Sequence, residues 1–537
     1  MVRTYSRHIL VQVMGMFLLP VVLMLVASSG CNKAPNARFA AVGNRVARPE
    51  QELRKEAQKL NAIGNPNTEE YEHRSDNPFR LAHQEPLSTF SIDVDTASYA
   101  NVRRMLSDGK LPPKDAVRVE EFVNYFSYLY PPPENDPLTI SAEAADCPWN
   151  PKHRLVRIGI QGKYLDPSQM PPRNLVFLVD TSGSMSGPNR LPLLRRSLAL
   201  LAKQLRKHDR VSIVAYAGSA GLVLPSTSGD DQAAILNSLD RLHAGGSTNG
   251  GEGIQLAYHT AQQAFIPGGA NRVILGTDGD FNVGLAGSEL VRLIESKRDT
   301  GIFLTILGFG MGNLKDATME KLAQHGNGTY HYIDSFTEAH HVFVEKIAAL
   351  VPIAKDVKVQ IEFNPTHVQA YRLIGYENRL LKNEDFNDDT KDAGDMGAGH
   401  TVTALYEIIP PGVDITLPKA DKLKYQQKTE PTLEAKSDEM MAVKVRYTPP
   451  TEKTSKLLAA VVTNERRPFE TASRDFRFAA TVASFAMLLR ESPYRGETSY
   501  AQIHAWGNAA KGPDELGHRR EFLRLVQVAE RLAKAAR

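Results

Sequence analysis

Leu175-Val176-Phe177-Leu178-Val179-Asp180-Thr181-Ser182-Gly183-Ser184 is the stretch that decides the fold. Five consecutive apolar residues bounded by turn formers suit a short strand buried on both faces. That strand delivers one carboxylate and two hydroxyls at its carboxyl end. A helix follows, with Leu191, Leu194, Leu198, Leu201 and Leu205 on one stripe. Further short apolar runs at 211–216, 272–275 and 302–308 alternate with helical patterns as far as about 349. This succession predicts a doubly wound, Rossmann-like parallel sheet with helices on both faces. Ligands of such sheets sit beyond the carboxyl ends of the strands.

Two more loops arrive at that same end. Gly245-Gly246-Ser247-Thr248-Asn249-Gly250 carries a hydroxyl at its tip, and Leu275-Gly276-Thr277-Asp278-Gly279 ends a central strand in a carboxylate. All are hard oxygen donors, suited to Mg²⁺, which takes six oxygens at about 2.1 Å and keeps several waters. The three loops together, in this order and at these strand ends, resemble the metal-ion-dependent adhesion site of the von Willebrand factor type A (VWA) family. The resemblance implies that Ser182 and Ser184 bind Mg²⁺ (or Mn²⁺) through their hydroxyls and that Thr248 binds directly or through water. It also implies that Asp180 and Asp278 hold coordinating waters. So few direct anionic ligands leave the cation electrophilic, and an acidic side chain from a partner protein completes the octahedron. Asp280 and Glu252 near the rim read as solvated loop residues.

Outside this unit the pattern changes. Stretches at 138–160, 357–363, 367–373, 402–409 and 441–447 read as antiparallel strands, so the α/β VWA unit is expected to be inserted in a β-sandwich. Ahead of it, a strand-like stretch through Phe90 and Ile92 leads to a helix carrying Tyr99, Val102, Met105 and Leu106, then to a second helix at 119–129 that ends before Pro131-Pro132-Pro133. Two helices, 476–489 and 519–536, close the chain. The latter bears Phe522, Val526, Ala529, Leu532 and Ala536 on the face expected to dock on the body. The expected organisation is a signal at 1–31, a disordered tether at 32–84, an N-terminal α/β segment at 85–168, the VWA domain at 169–352, sandwich strands at 353–465 and C-terminal helices at 466–537. Phe90-Ser91-Ile92-Asp93-Val94-Asp95-Thr96-Ala97-Ser98-Tyr99, Glu384-Asp385-Phe386 and Gly397-Ala398-Gly399-His400 look like the flanks of YfbK-type bacterial VWA lipoproteins, a likeness covering about 85–537.

A length of 537 residues with 42% hydrophobic composition suits about three domains plus tails. The 64 basic and 61 acidic residues nearly cancel, to +3, which gives no electrostatic case for nucleic acid. Arg3 and Arg7, the apolar run from Ile9 to Ala27 and the small residues Ser28-Ser29-Gly30 before Cys31 read as a secretory signal. The last four resemble a bacterial lipobox, which implies a lipidated Cys31; the alternative is an uncleaved anchor. Either places the body in the cell envelope, on the periplasmic or outer-membrane side. With Cys31 lipidated, Cys147 has no partner and is expected as a small buried apolar residue.

Other motifs have competing structural readings. Asp93-Val94-Asp95-Thr96 fits the nucleophile motif of haloacid-dehalogenase-type phosphatases, but the helix-rich, Pro-terminated sequence after it favours a structural loop. Gly308-Phe309-Gly310-Met311-Gly312 reads as a flexible rim, the acidic stretch 385–395 as a solvated loop, and His325, His331, His340 and His341 as surface or core histidines. The leading expectation is a non-enzymatic, metal-dependent protein-binding module on an envelope lipoprotein. A hydrolase using Asp93 and Asp95, or a structural envelope scaffold, is the alternative.

Overall fold

Alternation along one strand shows how the central layer is built. In Arg173–Asp180, Leu175, Phe177 and Val179 face one hydrophobic core while Val176 and Leu178 face another. Burial of both faces demands helices on both sides. In the computed structural model, which describes residues 68–92, 95–166, 168–279, 287–415 and 431–536, the helices Leu191–Ala202, Gln232–Asp240 and Phe336–His340 cover the first face. Helices Gly250–Gln263, Gly287–Arg298 and Asp316–His325 cover the second. The sheet runs Tyr330–Tyr332, Ile302–Gly308, Ala270–Thr277, Arg173–Asp180, Arg210–Tyr216, Ala220–Ser228. Its first five strands are parallel and the last is an antiparallel edge. Strand order reverses at Arg173–Asp180, which is where an open α/β sheet places its ligand crevice.

This unit leaves the chain after the strand Asn150–Gly162 and rejoins it at Pro352–Phe363. Those two strands belong to different antiparallel sheets. One sheet orders Arg80–Leu81, Ala370–Ile374, Thr401–Ile409, Asn150–Gly162 and Leu138–Cys147; the other orders Leu380–Leu381, Leu87–Ser91, Pro352–Phe363, Glu439–Thr448 and Lys456–Thr463, with Gly394–Gly397 also on Pro352–Phe363. A shared core of Phe90, Ile158, Ile160, Val359, Ile361, Tyr406 and Val443 joins them into the expected sandwich. A third body is helical. Helices Ala97–Ser107 and Val119–Tyr125 pack with Arg474–Leu489, Tyr500–Ala510 and His518–Ala535 around Tyr99, Phe122, Phe126, Phe478, Phe485 and Phe522. Phe522, Val526 and Ala529 are buried there, and Cys147 is a buried free thiol.

Several expectations need correction. The tether does not reach 84: backbone N–H groups of Thr68 and Glu70 donate to Gly312 and Leu314, and the Asn77 amide donates to the carbonyls of Leu373 and Gly375 at 3.1 and 2.7 Å. Its remainder, and the signal with Cys31, lie outside the described residues. Leu87–Ser91 is a sandwich strand, so the N-terminal segment and the sandwich are not separate units. The helix expected over 119–129 stops at Tyr125, because Phe126 is already extended and Leu129 is 91% exposed. The acidic stretch is solvated only in its first half, since Gly394–Gly397 pairs with Pro352–Phe363. No helix among the described residues is long and apolar enough to cross a membrane.

Candidate metal centre

The parallel sheet brings the three predicted loops together through backbone bonds. Thr181 donates from its N–H to the Tyr216 carbonyl (2.9 Å) and accepts at its own carbonyl from Gly245 N–H (2.8 Å). Gly183 N–H donates to Gly246 (3.0 Å), and Asn249 N–H donates to Ala217 (2.6 Å). Thr248 is thereby held, half-buried, between anchored neighbours in the loop facing Ser182 and Ser184. The Phe309 N–H donates to the Thr277 carbonyl (2.9 Å), so the glycine-rich 308–312 segment forms one edge of this site.

Side chains complete it. Asp180 Oδ1 accepts from the Ser182 amide (2.9 Å) and hydroxyl (2.6 Å), and Asp180 Oδ2 accepts from Thr277 Oγ1 (3.0 Å). Ser182 Oγ and Ser184 Oγ lie 3.0 Å apart. Asp278 is fully buried with neither carboxylate oxygen hydrogen-bonded. Its ion-pair partner is Arg190, whose Nη1 lies 3.1 Å from Oδ2 without hydrogen-bond geometry. Burial, with the charge of Asp278 beside it, holds the Asp180 carboxyl above the usual range, against the lowering effect of the bonds from Ser182 and Thr277. Two buried carboxylates with lone pairs left over, next to two hydroxyls, form a donor set that fits a hard divalent cation.

Thr277 and Arg190 were not singled out from sequence. Thr277 braces Asp180 from the neighbouring strand, a role visible only once Arg173–Asp180 and Ala270–Thr277 are seen to pair. Arg190 crosses over the site, donating to the carbonyls of Ser184 and Met311, the latter at 2.8 Å. Gly310, at φ +74°, makes room for it: a Cβ there would lie 2.4 Å from Arg190 Nε. Glu252 is exposed on the first turn of Gly250–Gln263, and Asp280 lies outside the described residues.

Of the alternative pair Asp93 and Asp95, the described residues include only Asp95. Asp95 is 2% exposed; its Oδ1 accepts from Tyr330 N–H (2.7 Å) and its Oδ2 pairs with Arg379 (3.1 Å). A carboxylate so engaged holds two elements together and is poorly placed to protonate a leaving group. Asp93 lies outside the described residues.

Family models agree with the fold. The von Willebrand factor type A domain model matches residues 174–345, a model described as von Willebrand factor matches 65–157, and one described as "Uncharacterized protein YfbK, C-terminal" matches 348–532. The Uncharacterized protein YfbK of Escherichia coli (strain K12) is 44% identical over 482 residues, covering 88% of this chain and 83% of that one. The chain belongs to the YfbK family. Uncharacterized protein sll0103 of Synechocystis is 28% identical over 206 residues, 38% of this chain and 48% of that one. Among solved structures, a von Willebrand factor type A protein from Catenulispora acidiphila is 15% identical with a TM-score of 0.38, covering 86% of this chain and 89% of that one. In this chain the VWA domain lies between two flanking segments that fold together, and VWA domains are in general interaction modules.

Proposed function

We propose that this protein is a non-enzymatic, metal-ion-dependent protein-binding module of the cell envelope. Ser182 and Ser184 ligate Mg²⁺ (or Mn²⁺) through their hydroxyls, Thr248 joins them directly or through water, and Asp180 and Asp278 orient the coordinating waters. The observation that carries this reading is Asp278, a fully buried carboxylate with both oxygens unbonded beside the Asp180 and Ser182 pair. A bound dication supplies a Lewis-acidic position that an acidic side chain of a partner protein can complete. Cys31 carries the lipid that ties the module to the membrane.

The test is capture from an envelope extract on immobilised full chain, comparing wild type with Asp180→Ala. The expected result is partner retention in Mg²⁺ that is lost with chelator and lost in the variant. Equal capture in all arms overturns metal-dependent binding and leaves a structural scaffold.

A further inference from the structure

A second set of metal-type side chains gathers where the VWA unit meets the C-terminal helix. His341 and Glu345 lie on one π-helical turn, His341–Glu345, a rare helix form that is frequent at functional sites. His518 opens the helix His518–Ala535 and is set by Gly517 in the left-handed region, φ +80°. Glu345 Oε2 is 2.6 Å from His341 Nδ1 and 3.0 Å from His518 Nε2, and the three donor atoms all lie within 4.8 Å of one another. Glu345 Oε1 is 3.1 Å from His340 Nδ1.

The surroundings favour more than an ion pair. His341 is 3% exposed with Nε2 lacking any hydrogen-bond partner, and its ring lies over Tyr125 at 4.8 Å. That unpartnered nitrogen lies across the ring from Nδ1, the atom that meets Glu345 and is the one available to the cluster. Glu345 and His518 line a cleft shared by Asp514 and Glu515 and by Arg157, Arg467 and Arg519, which opens the cluster to solvent. In a tetrahedral zinc site, donors about 2.0 to 2.1 Å from the ion are about 3.3 Å apart. The 2.6 and 3.0 Å separations from Glu345 Oε2 would open by about 0.7 and 0.3 Å to reach that spacing.

We propose that His341, Glu345 and His518 bind a divalent transition metal of the zinc class, with His340 or water from the cleft as fourth ligand. The metal fastens the last helix of the chain to the end of the VWA unit. The imidazole donors separate this site from the all-oxygen set around Asp180, so each selects a different cation.

The experiment titrates the full chain with Zn²⁺ against a chelating indicator, and with Co²⁺ followed by visible absorption, in wild type, His518→Ala, Glu345→Gln and Asp180→Ala. Wild type and Asp180→Ala are expected to show one site with the strong absorption of four-coordinate cobalt. His518→Ala is expected to lose that absorption and more than about 100-fold in Zn²⁺ affinity. Glu345→Gln, which keeps the side-chain shape, should weaken Zn²⁺ as well, separating ligation from misfolding. No saturable Zn²⁺ binding by wild type at micromolar concentration overturns the proposal. So does wild-type affinity in both His518→Ala and Glu345→Gln, or loss confined to Asp180→Ala.

Discussion

Removing the one hydroxyl of Thr277 isolates the brace behind the proposed metal centre. Its Oγ1 donates to Asp180 Oδ2 and accepts from Gly279 N–H, so Thr277→Val strips a bond from a buried carboxylate. We expect a loss of about 1 to 2 kcal/mol in urea denaturation, together with weaker Mg²⁺ binding. Arg190→Met tests the opposite partner. Without the guanidinium, Asp278 has no cation beside it in the metal-free protein, so the melting temperature should fall in chelator and recover when Mg²⁺ is added. A fall of equal size in both media would separate Arg190 from the site. Asp180 and Asp278 close adjacent strands, as the sequence suggests, whereas Thr248 comes from the loop between the helices Gln232–Asp240 and Gly250–Gln263. Thr277 and Arg190 were not legible in the sequence, because their roles depend on which strands pair and on where Gly310 lets a side chain cross.

Elements with strong, buried periodicity were legible almost to their ends. The expected 302–308 strand is Ile302–Gly308, and the expected 476–489 helix is Arg474–Leu489, begun by Ser473, whose hydroxyl accepts from Phe476 N–H. Ala220–Ser228 escaped notice because it is a largely exposed antiparallel edge interrupted by Pro225, which only an edge tolerates. The ordered 68–84 stretch escaped because long-range polar bonds hold it, and local composition says nothing of those. Within Gly394–Gly397, two changes probe element-level strain. A Cβ at Gly397 would meet the Ala349 carbonyl oxygen at 2.0 Å, backbone that cannot turn aside, so Gly397→Ala should cost about 3 kcal/mol. Asp395 has a shielded Oδ2 with no partner, and burial, with Asp356 nearby, pushes its carboxyl up to about 8. The folded state therefore holds a proton that the unfolded chain has released. The resulting stabilisation is full below about pH 4 and is lost as pH rises through about 8. Asp395→Asn should flatten the decline of melting temperature between mildly acidic and mildly alkaline pH; unchanged slopes would contradict this.

At the scale of the molecule, the inserted VWA unit is clamped rather than loosely hung. Arg103, from the helix Ala97–Ser107, is 4% exposed and reaches Asp334 (2.5 Å), Glu338 (2.7 Å) and the Tyr125 hydroxyl (2.8 Å). Arg118 binds Asp316 across the same boundary, and Arg379 binds Glu320. Breaking a buried pair by removing one partner leaves an uncompensated charge, so Arg103→Met should cost about 3 to 5 kcal/mol in denaturant unfolding. A surface-like loss of under about 1 kcal/mol would mean that the clamp is not what fixes the unit. Sequence periodicity made the three bodies recognisable, but not the fact that the N-terminal helices and C-terminal helices share one core, because contacts between residues such as Phe126 and Phe522 leave no local pattern. A rigid mount suits the proposed role, in which a cation is held toward a partner in a fixed direction. The most direct test of that site is calorimetric titration of Mg²⁺ into the full chain and into Asp180→Ala. The account predicts one saturable Mg²⁺ per chain that the substitution abolishes, and unchanged Mg²⁺ affinity in the variant would contradict it.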